Sequence, residues 1–249
     1  MPSYKKTRLD ILLVDCGLAA TRARAADLIR RGAVRVGGAT AAKPGQLVAR
    51  DAVLSVSPGA GAYVSRGGLK LEAALDAFAL DAEGRVALDI GASTGGFTDA
   101  LVARGAARVY AVDVGRGQLH EKLRADPRVV ALEATDARSL DRWVIPEPVS
   151  AIVADVSFIS LTLALPAALA LAAPGAWLVA LIKPQFEAGR EAVGKGGVVR
   201  KDEDRERAIA RVRDFVASRP GWSVLGVIPS PIEGGSGNRE FLHAARYAG

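Results

Sequence analysis

The sequence predicts an α/β protein: a doubly wound, mainly parallel sheet over residues 62–249, preceded by a small α+β module over residues 1–61. Three observations carry this. Beyond residue 65, strand-like apolar runs alternate with helical stretches, as in chained βα units. At Asp89-Ile-Gly-Ala-Ser-Thr-Gly-Gly-Phe-Thr, the apolar run Val86-Ala87-Leu88 ends in an acid, a glycine-rich turn and a helix start. Such a turn lets backbone and ligand approach closely. Finally, the net charge of +6 is concentrated in one place. Residues 1–61 hold ten Lys/Arg and four acids, and the remainder is neutral. A basic module beside a neutral one points to a polyanionic partner, nucleic acid above all.

In the first module, Leu9-Asp-Ile-Leu-Leu-Val-Asp-Cys-Gly reads as a short amphipathic helix stopping near Gly17. Thr21 caps a second helix, Arg22 to Arg31, which Gly32 closes. On that helix Ala23, Ala26 and Ile29 or Arg30 share a face, so small residues are expected inside. Arg22, Arg24, Arg31 and Arg35 line an outer rim. Val34-Arg-Val-Gly-Gly enters a hairpin, and Val53-Leu-Ser-Val returns. Pro58-Gly-Ala-Gly-Ala is a small-residue linker that sets the domain boundary. Cys16 is the single cysteine, so a disulfide within the chain and a cysteine-based zinc site are excluded. That usage fits a reducing cytoplasm.

The second module becomes helical by Leu69. Strands are expected at Arg85–Ile90, Arg108–Val112, Val129–Leu132, Ala151–Asp155, Trp177–Ile182 and Ser223–Ile228. A short antiparallel strand ends the sheet, bringing it to seven. Helices fall near Gly96–Arg104, Gln118–Arg124, Ile159–Ala172 and Glu203–Ser218. The stretch Phe158 to Ile182 lacks charge over 25 positions, long enough to span a bilayer. Pro166, Pro174 and Gly175 interrupt it, and two buried core elements explain it better than a membrane span.

Ligands of such sheets sit at the carboxyl ends of the strands. Five successive strand ends carry an ionisable group: Asp89, Asp113, Asp136, Asp155 and Lys183. Asp113 is placed to accept both ribose hydroxyls of an adenosyl cofactor. Asp136 is placed to accept from the adenine amino group. Lys183 follows six apolar residues and precedes Pro184. Partial desolvation favours its neutral amine, which takes a proton from a sugar hydroxyl. The alternative, a Lys183–Asp155 ion pair, is compatible with that role. The turn at residues 89–98 resembles the first motif of methyltransferases, and among these, methylation at pyrimidine C5 needs a nucleophilic cysteine, whereas Cys16 lies in the wrong module. The Asn/Asp-Pro-Pro-aromatic signature of amino-methylating enzymes is replaced by Asp-Val-Ser-Phe. What remains is an oxygen as methyl acceptor.

Several of these segments resemble known families. Asp-x-Gly followed by a glycine pair resembles the first motif of S-adenosylmethionine-dependent methyltransferases, of Rossmann-like class I fold. The Thr21–Gly38 segment resembles the S4-type RNA-binding domain. Val-Ser-Arg-Gly-Gly-Leu-Lys-Leu (64–71), residues 89–99 and 109–119, and Asp-Val-Ser-Phe-Ile-Ser-Leu (155–161) resemble the TlyA family. So do Ile-Lys-Pro-Gln-Phe-Glu-Ala-Gly-Arg (182–190), residues 193–200 and Gly-Ser-Gly-Asn-Arg-Glu-Phe (235–241). The resemblance covers nearly the whole chain. It implies an FtsJ-like domain that uses S-adenosyl-L-methionine to methylate the cytidine 2′-hydroxyl of ribosomal RNA, in the ribosome or its subunits. It implies no metal and no membrane, although family members often carry the name hemolysin.

The FtsJ-type Lys-Asp-Lys-Glu tetrad, carried over by motif, is Lys70, Asp155, Lys183 and Glu240. Lys183 would accept the proton, Asp155 and Glu240 would orient the lysines, and Lys70 would meet ribose or phosphate. Taken alone, Lys70 also reads as an exposed helix lysine and Glu240 as a surface residue. The resemblance assigns Asp89, Gly91, Ser93, Thr94, Gly95, Gly96, Phe97, Thr98, Asp113, Asp136 and Asp155 to the cofactor. It assigns Arg8, Arg22, Arg24, Arg30, Arg31, Arg35 and Arg66 to RNA. One departure stands out: Glu133-Ala-Thr-Asp136 replaces the family's Glu-Arg-Thr-Asn, and an aspartate accepts but does not donate. Gly189 to Gly197 is expected to be a mobile loop. A lytic pore and a non-catalytic RNA-binding assembly factor are the competing functions.

Overall fold

The computed structural model describes residues 6–30, 32–41, 43–56, 63–234 and 237–249. Arg31, the 58–62 linker with its boundary, and Gly235-Ser236 lie outside the described residues. The chain forms two compact units, Met1–Arg66 and Gly67–Gly249.

The first unit runs β1 (Lys6–Arg8), α1 (Leu9–Asp15), α2 (Arg22–Arg30), β2 (Val34–Val36), β3 (Ala39–Thr40), β4 (Leu47–Ala49) and β5 (Leu54–Val56). β2 pairs antiparallel with both β3 and β5, and β1 pairs antiparallel with β4. The expected hairpin is thus one edge of a three-stranded sheet. Its core is Leu9, Leu12, Leu13, Ala25, Leu28, Ile29 and Val34. On α2 the buried residues are Ala25, Leu28 and Ile29, while Ala23 is exposed. The helix therefore turns its larger apolar side chains inward, about one position away from the expected small-residue face. The spacing test counted alanines, whereas burial follows the area that leucine and isoleucine remove from water.

The second unit runs α3 (Gly67–Ala77), β6 (Val86–Ile90), α4 (Gly96–Ala103), β7 (Arg108–Val112), α5 (Glu121–Arg124), β8 (Val129–Leu132) and β9 (Val149–Ala154). It continues with α6 (Leu161–Leu169), β10 (Ala172–Ile182), α7 (Pro184–Glu187), α8 (Asp202–Ala217), β11 (Trp222–Pro229) and β12 (Phe241–Tyr247). The seven strands lie in the order β11-β12-β10-β9-β6-β7-β8. β10, β9, β6, β7 and β8 are mutually parallel. β12 is antiparallel to both neighbours, so the antiparallel strand sits one position in from the edge.

Central strands covered on both faces read as near-continuous apolar runs. One face carries Leu88, Ile90, Val112, Ile152, Leu178, Ala180 and Ile182, packed with Leu161 and Leu165 of α6 and Val212 and Val216 of α8. By the two-residue period of a strand, Asp89 and Val153 point to the opposite face. Pro174 and Gly175, expected to end a helix before a strand, lie inside β10; its pairing with β9 is irregular between Ala172 and Trp177. The strand tolerates Pro174 there because the ladder is interrupted at that point.

Candidate active site

The parallel register brings the functional residues to one edge. β6, β7, β9 and β10 all end there, and Ala180 pairs with Ala154 while Ile182 pairs with Phe241. Asp155, one residue past β9, Lys183, one past β10, and Glu240, one before β12, are therefore neighbours along the sheet's carboxyl end.

Beside them opens a cavity of about 370 Å³, lined in part by Ile90, Gly91, Ser93, Asp113, Gln118, Asp136, Asp155 and Phe158. Its walls are apolar, from Val112, Val156, Ile159 and Ala164, with three carboxylates converging. That size and chemistry suit a small cofactor with several donor groups. Asp155 Oδ1 is buried and already paired with Lys183 Nζ at 2.6 Å. The carboxylates of Asp113, Asp136 and Asp155 give an otherwise apolar wall acceptors that fit a ligand bringing donors. Among the described residues no cluster of His, Cys, Asp or Glu is suited to a metal ion.

Five of the residues assigned to the cofactor line the cavity: Gly91, Ser93, Asp113, Asp136 and Asp155. Asp113 shapes the turn, accepting from Ser93 N at 2.8 Å and Gly115 N at 2.7 Å. Asp136 is held by Arg138, whose Nε lies 3.0 Å from both carboxylate oxygens. That guanidinium brings the Asp136 carboxyl down to about 2, so it is an acceptor only, and an acceptor already engaged.

Asp89, Gly95, Gly96, Phe97 and Thr98 are buried away from the cavity's lining, and Thr94 is exposed. Gly96, Phe97 and Thr98 form the first turn of α4. Asp89 accepts from Thr98 Oγ1 at 2.6 Å, and its Oδ1 is a buried acceptor without a hydrogen-bond partner among the described residues. Burial pushes the Asp89 carboxyl up to about 7, with the charges of Asp155 and Asp113 adding to the rise against the Thr98 hydrogen bond.

The glycines of the turn answer to the protein itself. A Cβ on Gly91, at φ 81°, would stand 2.5 Å from the Asp155 carbonyl oxygen. One on Gly95, at φ 95°, would strike Leu123 and Leu119.

Lys183 Nζ lies 2.6 Å from Asp155 Oδ1 and donates to Ser157 Oγ at 2.9 Å. The ion pair that the sequence offered as an alternative is therefore formed, with a hydrogen bond to Ser157 beside it. Lys70 and Glu240, readable as exposed, are buried at 8% and 4% exposure and meet at 2.5 Å. Gln118, Ser157 and Phe158 were not singled out by sequence reasoning as site residues. Gln118 accepts from Ser93 Oγ at 3.2 Å; its signal was a lone amide after the glycines of Val-Gly-Arg-Gly.

The loop at Gly189–Gly197, expected to be mobile, is fastened at its far end. Buried Asn238 donates to Gly197 O at 2.8 Å and accepts from Val199 N at 2.9 Å.

In the first unit the arginines divide. Arg8 and Arg22 both reach the buried Asp10; Arg8, chiefly, holds its carboxyl down at about 2. Arg24 pairs with Asp27. Arg30 and Arg35 are exposed, and Arg66 is half-buried beside Gly32.

Residues 63–247 match the FtsJ-like methyltransferase family, and residues 7–54 match the S4 domain. The chain is 49% identical over 239 residues to the 16S/23S rRNA (cytidine-2′-O)-methyltransferase TlyA of Mycobacterium tuberculosis, covering 96% of this chain and 89% of that protein. It is 40% identical over 240 residues to Hemolysin A of Brachyspira hyodysenteriae, covering 94% and 98%. A solved structure described as a hemolysin from Streptococcus thermophilus superimposes with a TM-score of 0.76 at 43% identity, covering 99% of this chain and 90% of that one. A cavity at the carboxyl edge of a seven-stranded sheet, a wall aspartate paired with a lysine and matches of this extent lead to one conclusion: the chain belongs to the FtsJ-like methyltransferase family, in the TlyA group that joins this domain to an S4 domain.

Proposed function

We propose that this protein transfers a methyl group from S-adenosylmethionine to the 2′-hydroxyl of a cytidine in ribosomal RNA, within the ribosome or its subunits in the cytoplasm. The observation that carries this reading is the Lys183–Asp155 pair, whose aspartate lines the cavity. The 49% identical relative named for the same reaction supports it. Among the described residues no helix is long and apolar enough to cross a membrane.

S-adenosylmethionine, when bound, supplies an electrophilic methyl on a sulfonium. Asp113 would accept from its ribose and Asp136 from its adenine amino group, and Asp155 would help to hold it. The protein's remaining task is to place the hydroxyl in line and take its proton. Lys183 is the proton acceptor, steadied by Asp155 and Ser157. Lys70 and Glu240 stand beside it as a buried pair that fixes the neighbouring strand end and offers the RNA a rigid floor. Arg30 and Arg35 of the S4 domain are exposed for phosphate, which arginine's planar fork binds bidentately.

The test is transfer of labelled methyl to ribosomal subunits, with the modified ribose mapped. Lys183→Ala should lower kcat by about 10²–10⁴, the usual worth of a general base, and leave S-adenosylhomocysteine affinity unchanged. Full activity in that variant would remove Lys183 from the chemistry.

A further inference from the structure

Lys183 caps the single helical turn of α7 in an extended conformation, and Glu187 ends that turn. Opposite them runs the segment 155–160, between β9 and α6, whose residues Asp155, Val156, Ser157, Phe158 and Ile159 form one wall of the cavity. The two segments are joined like a zip. Lys183 meets Asp155 at 2.6 Å and Ser157 at 2.9 Å. The Phe186 and Phe158 rings lie 5.2 Å apart. At the far end, Glu187 Oε2 accepts from Ser160 Oγ at 2.6 Å, and Oε1 accepts from Leu161 N at 2.7 Å.

These ties differ in how firmly they hold. Phe158 is 91% exposed and sits at φ 65°, a conformation an aromatic residue adopts only when its surroundings impose it. Ser157 is also exposed. Glu187 is 3% exposed, so its end of the zip is shielded from competing water. A buried carboxylate is costly unless its hydrogen bonds are made. Burial pushes the Glu187 carboxyl up, while Ser160, Leu161 and the charge of Arg211 oppose that. Helix capping alone does not require it, because Ser160 Oγ already accepts from Thr162 N at 3.2 Å. What Glu187 adds is a charge-assisted link from the turn that follows Lys183 to the loop that carries the lysine's partners.

We propose that Glu187 is a positioning residue for methyl transfer: it anchors the 155–160 loop to the Lys183 turn, so that Asp155 and Ser157, which line the cavity, hold the Lys183 amine in one place. The inference rests on the methyltransferase reading. A displacement of about 1 Å at a reacting group can cost about 10²-fold in rate. Loss of the anchor should therefore appear in kcat.

The experiment uses the full chain with Glu187→Ala, Glu187→Gln and Ser160→Ala. Glutamine can accept from Leu161 N and donate to Ser160 Oγ, so it can rebuild both contacts. With ribosomal subunits and saturating S-adenosylmethionine, E187A should lose about 10-fold or more in kcat, with KM for RNA within about threefold and E187Q restored to near wild type. Amide hydrogen exchange over residues 155–162 should quicken in E187A and not in E187Q. Unchanged kcat in E187A overturns the inference. So does an equal loss in E187A and E187Q, which would mark a merely structural acid. If E187A does not fold, S160A carries the test: it should lower kcat without changing KM, and unchanged kcat there overturns the inference equally. If the wild-type protein methylates no RNA, the functional reading fails instead. Exchange over 155–162 then decides the anchor alone, and unchanged exchange in E187A rejects it.

Discussion

Two buried groups in the second unit should cancel one another's pH dependence, and single substitutions should expose it. His243 of β12 is 0% exposed, and both ring nitrogens lack hydrogen-bond partners among the described residues. Burial, with help from the charge of Arg213, lowers it from 6.5 to about 4. Between those values the unfolded chain holds a proton that the folded chain refuses. Its contribution to stability is complete above pH 6.5 and is lost as pH falls toward 4. Asp89 behaves oppositely: raised from 3.8 to about 7, it keeps a proton in the folded state that the unfolded state has released. Its contribution is complete below pH 3.8 and is lost as pH rises toward 7. The windows are worth about 3–5 kcal/mol each in total, at about 1.4 kcal/mol per pH unit. Over the shared interval the two slopes oppose each other, so the wild-type protein should show little net slope from this pair. His243→Leu should make stability fall as pH rises from 4.5 to 6.5, and Asp89→Asn should make it rise. The three tryptophans, Trp143, Trp177 and Trp222, all lie in the second unit. Urea unfolding followed by tryptophan fluorescence therefore reports this unit alone. Slopes in both variants parallel to the wild type would refute the argument.

Two further substitutions test the site's framework. Glu240→Ala leaves the Lys70 ammonium buried and unpaired, and should cost about 3–5 kcal/mol in urea unfolding; the double change Lys70→Met with Glu240→Leu should cost well below the sum of its singles. Gly91→Ala drives a Cβ to 2.5 Å from the Asp155 carbonyl at φ 81°, and should lower thermal stability by at least about 1–3 kcal/mol and weaken S-adenosylhomocysteine binding measured by calorimetry.

The alternation of apolar runs and helices made the sheet legible, because burial on both faces leaves β6 and β9 little choice but Val, Ile, Leu and Ala. Strand ends were legible for the same reason: in a parallel sheet, the first polar residue after an apolar run sits at the ligand-binding edge. Asp113, Asp155 and Lys183 were found that way. Glu240 and Lys70 were not legible from pattern alone. Each looks like a solvated charge in its own sequence, and only the pairing of Ile182 with Phe241 and the return of α3 bring about their burial. The family resemblance supplied them. The β10 bulge escaped notice because Pro-Gly signals a turn locally, while the interruption of its ladder is a property of the partner strand.

The glycine-rich turn, expected to let a ligand approach closely, also lets protein segments approach one another. Gly91 makes room for the Asp155 backbone, whose N–H donates to Ile90 O at 2.9 Å, and Gly95 makes room for Leu119 and Leu123. Each close approach serves the cavity indirectly. The first draws the loop that carries Asp155 across the end of β6, and the second seats the Gln118–Leu123 segment against the start of α4. Of the residues from Asp89 to Thr98, the cavity is then lined by the backbone-led positions Ile90, Gly91 and Ser93, while Asp89 and Thr98 are spent on joining β6 to α4. A glycine at such a strand end therefore marks where two protein segments must cross to build a wall, and the ligand's contacts are better sought on the segments that cross it.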